Sequence, residues 1–499
     1  MQVTPRSLVA LTLITLCACT AETGRQASST SNVSSNLWPL STKSEEARKW
    51  IEEGEVAWDT NLFDDALRDF KRAVAADSAF AYGYLRIAQN AYSLDEYKAN
   101  LQRANAFIAT ANPSEKLMIE SENRFFAGDI QAGLDSLRKL AETLPDNKRA
   151  PMVLAFAQFF NAGQTDSARA TAKKLVEIAP EWGLAHLLYG NFYVQEPRDL
   201  AIAEEQTLAG QKLWPDKAVT YDLLGDLRRA QNRLEEAAAA YSRQIELSPN
   251  EAEGHNQRGH AYSFLGKSDS ARADYDAAIR LGKGNSPAFY SQYRAHVEAY
   301  AGHPEEAISK LQQLVQAIDG MGIPEPDGIK IATLQSIAVL ASHTGKFDVA
   351  DSATAQMAPL IRKAIERVNT PEYRRGQEAN IAFWEGRAAA FKGDYALALR
   401  KAEEYKKLRE PDRDANKDRA YHVLRGVVAF GQKRYADAVT ELKQGDPDNP
   451  LQRYLMAQAL DALGKTAEAK AIYKSVSTYN FNSVGFAAVR REALEKAGT

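Results

Sequence analysis

The sequence predicts an all-α solenoid: a superhelix of about twelve helical hairpins closed by a C-terminal capping helix. Three observations carry this reading. From Ser44 onward the chain repeats itself with a period near 34 residues. Glycines and prolines keep that period: Gly190, Gly225 and Gly259 fall 35 and 34 residues apart, and so do Pro180, Pro215 and Pro249. Small residues keep it too, at Ala66, Ala168, Ala203, Ala237, Ala271, Ala307, Ala350, Ala398, Ala438 and Ala469, with Gly133 at the same place in an eleventh unit.

Each residue type has a physical reason. A tight turn between two antiparallel helices needs a left-handed residue after the first helix, which glycine adopts without a steric penalty. Gly128, Gly163, Gly266, Gly302, Gly345, Gly393 and Gly464 sit at that turn in seven units. The two helices of a hairpin must approach closely, so small side chains recur where they cross. Proline ends the second helix because it cannot continue it. The second unit, 81–113, is degenerate, with Asn100 at the alanine place. The stretch 480–497 reads as the closing helix, and Thr42 with Glu45 has capping-box spacing before the first helix.

Regular spacing fails twice. Residues 319–328 (DGMGIPEPDG) are too rich in Gly and Pro for a helix, and mark either a kink or hinge or a plain loop. They divide an N-terminal array, 44–318, from a C-terminal array with its capping helix, 329–499. The second irregularity is an extended helix near 358–368, followed by Asn369-Thr370-Pro371.

The clearest unit, 218–251, carries Tyr221, Leu224, Gly225, Ala237, Tyr241 and Pro249, and the next carries Gly259, Tyr262, Ala271, Tyr275 and Ala278. In these residues the chain resembles the tetratricopeptide-repeat family over nearly all of its length beyond the N-terminal segment. The resemblance implies a protein that holds a protein or peptide partner, with the first helices of successive units lining a concave groove. Register then places Gln89, Tyr92, Phe125, Phe126 and Phe160 in the groove near the N-terminus, and Asn191, Asp226, Arg229, Asn256, His260, Gln292 and His296 in its middle. The family's lysine-and-asparagine clamp for a terminal carboxylate is not expected: Asn191 fits one place, but Leu187 occupies the lysine place.

The N-terminus has its own logic. Arg6 precedes an apolar run from Leu8 to Leu16, too short for a bilayer-spanning helix and suited to a signal peptide over 1–18. Leu16-Cys17-Ala18-Cys19 resembles the lipobox of bacterial lipoproteins, with Cys19 as the lipidated residue; Cys17 departs from that pattern. Ordinary cleavage after Ala21, giving a soluble secreted protein, is the alternative. Residues 19–43 read as the lipidated cysteine and a flexible Ser/Thr/Asn-rich tether. In lipoproteins of this kind an Asp after the cysteine retains the protein at the inner membrane, so the resemblance, with Thr20 in that place, implies the outer membrane, on its periplasmic side or at the cell surface.

Little catalytic chemistry is available. The two cysteines both lie in the first twenty residues, so the repeats contain neither a disulfide nor a cysteine-bound metal. Gly266-Lys267-Ser268 and Gly464-Lys465-Thr466 lack the earlier glycine of a phosphate loop, with Ala261 and Ala459 in its place. His255 and His260 are five apart and do not share a helix face. A net charge of −3 gives no reason to expect nucleic acid. The expectation is a non-enzymatic scaffold in the cell envelope, without cofactor or metal, serving assembly, secretion or export machinery. The alternative is a receptor for a glycan or small solute working beside a transporter.

Overall fold

A computed structural model describes residues 37–195 and 197–498. The signal-peptide and lipidation readings, Cys19 included, lie outside the described residues. Among these residues the chain forms 25 α-helices in twelve antiparallel hairpins plus one last helix. The first helices of the hairpins are α1 (Glu45–Asp59), α3 (Ala81–Gln89), α5 (Pro113–Ala127), α7 (Arg149–Phe156), α9 (Gly183–Phe192), α11 (Ala218–Ala230), α13 (Ala252–Phe264), α15 (Ser286–Tyr300), α17 (Pro326–His343), α19 (Pro371–Lys392), α21 (Arg419–Gly431) and α23 (Pro450–Ala462). Their partners are α2 (Phe63–Ala76), α4 (Leu94–Ala106), α6 (Ile130–Thr143), α8 (Thr165–Ile178), α10 (Leu200–Leu213), α12 (Leu234–Leu247), α14 (Ser268–Leu281), α16 (Pro304–Ala317), α18 (Phe347–Val368), α20 (Tyr395–Arg409), α22 (Tyr435–Leu442) and α24 (Thr466–Ser477); α25 (Val484–Ala497) closes the stack.

The hairpin chemistry follows the sequence closely. All seven turn glycines have positive φ, from 62° at Gly163 to 92° at Gly302, and Asn61, Asn232 and Lys433 take the same conformation in other units. The ten register alanines are buried, none more than 2% exposed. Each is the fourth residue of its helix, where the partner helix crosses. By that count Tyr97, not Asn100, holds the alanine place of the second hairpin. The Tyr97 ring is buried, packs on Phe126 at 5.4 Å, and its hydroxyl donates to Glu122 at 2.6 Å.

The capping of α1 also differs from expectation. The helix begins at Glu45, so Ser44 is the N-cap and its hydroxyl accepts from the Ala47 amide at 3.1 Å. Thr42 is drawn away to Asp77, to which it donates at 2.6 Å. Nor are residues 37–43 part of a free tether. Trp38 is 2% exposed and meets Tyr82 edge-on, while the Ser41 amide donates to Glu115. Trp50 is partly buried against the core, with Lys49 and the Arg72 guanidinium over its ring. The stretch 319–328 contains most of a 3-10 turn, Ile318–Met321, and then the first residues of α17, for which Pro326 suits the first position.

The first helices also touch one another, α9 with α11, α11 with α13 and α13 with α15, so they lie on the inside of the curve. The superhelix winds until its turns meet. Asn61, after α1, donates to Asp222 of the sixth hairpin at 3.3 Å, and Lys283, after the seventh, pairs with Asp64 at 2.7 Å. Asn285 donates to the Tyr92 carbonyl, Glu325 accepts from the Leu94 amide, and Thr370 donates to the Ala127 carbonyl. The hairpin turns of the first three units therefore rest on the sixth to tenth, with about six hairpins between touching points. The far rim is tied by the C-terminus: Arg198 donates to the Tyr479 carbonyl, Asn480 to the Arg229 carbonyl and Arg490 to the Phe264 carbonyl.

Two outcomes test these packing claims. A Cβ at Gly225 would collide with the Tyr241 ring, so Gly225→Val is expected to lose about 1–3 kcal/mol in urea unfolding, while Lys433→Gly, relieving a left-handed non-glycine, gains about 1 kcal/mol. Glu251 is pushed up to about 7 by burial and by Asp64. A carboxyl raised in the folded state favours folding below its unfolded value, and that contribution is lost as pH rises to 7. Glu251→Gln should therefore melt higher than the parent at pH 8, by on the order of 2 kcal/mol, with the difference vanishing at pH 4.

Candidate interaction groove

The inner face of the first five hairpins opens into a recess of about 290 Å³. Its walls are aromatic. Trp58 at the end of α1 meets Phe63 at 6.1 Å and Phe156 at 5.6 Å, and Phe156 stacks on Phe160 at 5.6 Å. A π-turn at Ala157–Asn161, with the Ala162 amide bonded to the Ala157 carbonyl, follows α7. The extra residue re-aims the side chains: Phe159 turns to stack on Phe192 at 4.4 Å, and Phe160 lines the recess.

Beneath the rings lies a buried ion network. Arg149, 1% exposed, bridges Glu55 at 2.9 Å and Asp59 at 2.7 Å; Arg86 pairs with Glu55 at 2.7 Å, and Tyr82 donates to the same carboxylate. The Arg86 guanidinium covers the Trp58 ring at 5.3 Å. Burial pushes Asp59 up to about 6 despite Arg149, and raises Glu122, which Gln89 and Tyr97 hold by hydrogen bonds. The network ties α1, α3 and α7 together and fixes the floor on which Trp58 and Phe156 stand.

Of the groove residues expected from register, Gln89, Phe125 and Phe160 line this recess. Phe126 does not: it packs on Tyr97. Tyr92 also lies elsewhere, donating to Asp64 where the superhelical turns meet. In the middle the groove is filled by its own side chains. Arg229 is 3% exposed, bonded to Asp226 and flanked by Tyr241 and Phe481 at 5.5 and 5.0 Å. Asn256 donates to Glu253, His260 meets the Tyr275 hydroxyl, and Gln292 joins Ser336 and Thr333. His296 is buried, and desolvation pushes it down to about 4. Asn191 is half-buried on α9. No group of three or more His, Cys, Asp or Glu among the described residues could hold a metal ion, and no described helix is long and apolar enough to cross a membrane.

Register missed Trp58, Phe63 and Phe156. The signal for Trp58 was its place in the last turn of a first helix; Phe63 opens a second helix, which the groove reading did not consider. The π-turn, which no local pattern announces, sorts the Phe156–Phe160 cluster.

The fold defines the class: an all-α solenoid built from stacked helical hairpins. Tetratricopeptide-repeat models match part of the stack. A model described as "TPR repeat" matches residues 225–266, and models described as "Tetratricopeptide repeat" match 252–282 and 429–491. No curated protein matches the chain. Among solved structures, it is similar to the APC/C hetero-tetramer Cut9-Hcn1, at 15% identity over 92% of this chain and 79% of that one, with a TM-score of 0.43. A tetratricopeptide repeat protein from Parabacteroides merdae ATCC 43184 matches at 16% identity over 57% and 96%, TM-score 0.34. Yeast Tom70 matches at 13% over 92% and 96%, TM-score 0.37.

Removing Arg149 leaves two buried carboxylates without their shared cation. Arg149→Met is expected to cost about 3–5 kcal/mol in chemical denaturation; a loss below about 1 kcal/mol would mean that the network does not hold the recess.

Proposed function

We propose that this protein is a membrane-anchored scaffold of the bacterial cell envelope that holds a segment of a partner protein in the N-terminal recess. The observation that carries the reading is the ring of Trp58, Phe63, Phe156 and Phe160 around a cavity on the inner face of the first five hairpins. Buried aromatic pockets are where a partner's apolar anchor residue contributes most to binding. Asn161 beside them can pair with the backbone of an extended segment. A lipid on Cys19 and a Ser/Thr-rich tether would hold the array at the outer membrane and let it stand off the surface.

The test is crosslinking in membranes of the native host, followed by identification of what co-purifies. Defined envelope proteins should be captured by the parent chain, lost with Cys19→Ala, and reduced about tenfold with Phe160→Ala, the loss of one anchor contact. Equal capture by Phe160→Ala would remove the recess from the reading. Capture of nothing protein-like would turn attention to a glycan or small solute as the ligand.

A further inference from the structure

A second cavity, of about 370 Å³, lies at the other end of the array, between α17, α19, α21, α23 and α25. Its volume falls in the range of small-molecule sites. Phe383, Phe391, Val427, Phe430 and Leu455 make most of it apolar. One wall residue does not fit an apolar hollow. Arg387 is 7% exposed, and its guanidinium reaches only neutral acceptors, the Ser342 hydroxyl at 3.1 Å and the Ala338 carbonyl at 3.4 Å. Its Nη2 has no hydrogen-bond partner among the described residues, and no described carboxylate pairs with it. The rings of Phe391 and Trp384 flank it at 4.7 and 5.6 Å.

The other buried arginines of this chain show what is unusual here. Arg149 has two carboxylates, Arg86 has Glu55 and Arg229 has Asp226, while Arg169 is held by the carbonyls of Phe192, Gln195 and Pro197 with Asp166 at 3.7 Å. A guanidinium taken out of water normally carries such a partner, because the desolvation cost is otherwise uncompensated. Desolvation alone, with no charged neighbour contributing, pushes Arg387 down to about 10. The one carboxylate in the cavity wall, Glu492 of α25, is already committed: His343 lies 2.8 Å from it, and the Tyr454 hydroxyl donates to it at 2.5 Å. It sits at the rim, with 47% of its side chain exposed.

We infer that this cavity is a binding site for a small carboxylic acid with an apolar body, its carboxylate paired with Arg387 and its body among the phenyl and aliphatic side chains. A carboxylate offers the guanidinium the bidentate partner that the chain itself does not supply. The cavity's size suits a free acid of one ring or a short chain.

Isothermal titration calorimetry of the full chain with 4-phenylbutyrate and with its neutral isostere, 4-phenylbutyramide, tests this. The acid should bind at least about tenfold tighter than the amide. Arg387→Met should abolish that preference, and the variant should fold, since no ion pair is broken. Equal affinity for acid and amide in the parent chain, or no binding of either at millimolar concentration, would overturn the proposal. So would a tenfold preference for an octapeptide ending in a free phenylalanine carboxylate, which would make the cavity a chain-end site.

Discussion

The structure depends on one close contact repeated along the chain: in eleven of the twelve hairpins the two helices cross over a residue with no more than a methyl group. Ten buried alanines and Gly133 set that distance. It fixes the angle between the helices, and the angle fixes how far each unit rotates on the last. Small errors would accumulate over twelve units. They do not, because the sum of the rotations brings the turn of the first hairpin onto the sixth, where Asn61 finds Asp222 and Lys283 finds Asp64.

Once successive turns touch, the groove is no longer a continuous trough. In the middle the inner helices face one another closely enough that Arg229, Asn256, His260, Gln292 and His296 are buried. The C-terminal segment seals the rim, with Phe486 fully buried against Phe264, Tyr300 and Tyr479. Among the described residues two separate hollows stay accessible at opposite ends, one aromatic over a balanced ion network and one apolar around an arginine without a carboxylate partner.

The repeat was legible in the sequence because it is local. A left-handed turn, a small crossing residue and a terminating proline each act within one hairpin, so glycine, alanine and proline spacing reveals them. Tyr97 escaped because it breaks the spacing rule while keeping the geometry. The contacts between superhelical turns were illegible for a different reason: Asn61 and Asp222, or Arg198 and Tyr479, are far apart in the chain and meet only after every intervening rotation has been added. Hence register put Phe160 and Gln89 on an inner face, where both line the recess, yet could not say that His296, also on an inner face, would be enclosed. The same holds for Arg387, whose want of a partner appears only when five helices and the C-terminal segment surround it.

The measurement that bears most directly on the closed winding is small-angle X-ray scattering of the soluble chain lacking the N-terminal 36 residues. Touching turns give a radius of gyration within a few ångströms of the value of about 23 Å expected for a compact chain of this length. A value well above about 30 Å would mean that the turns stand apart in solution, the groove runs open from end to end, and the two hollows are parts of one surface.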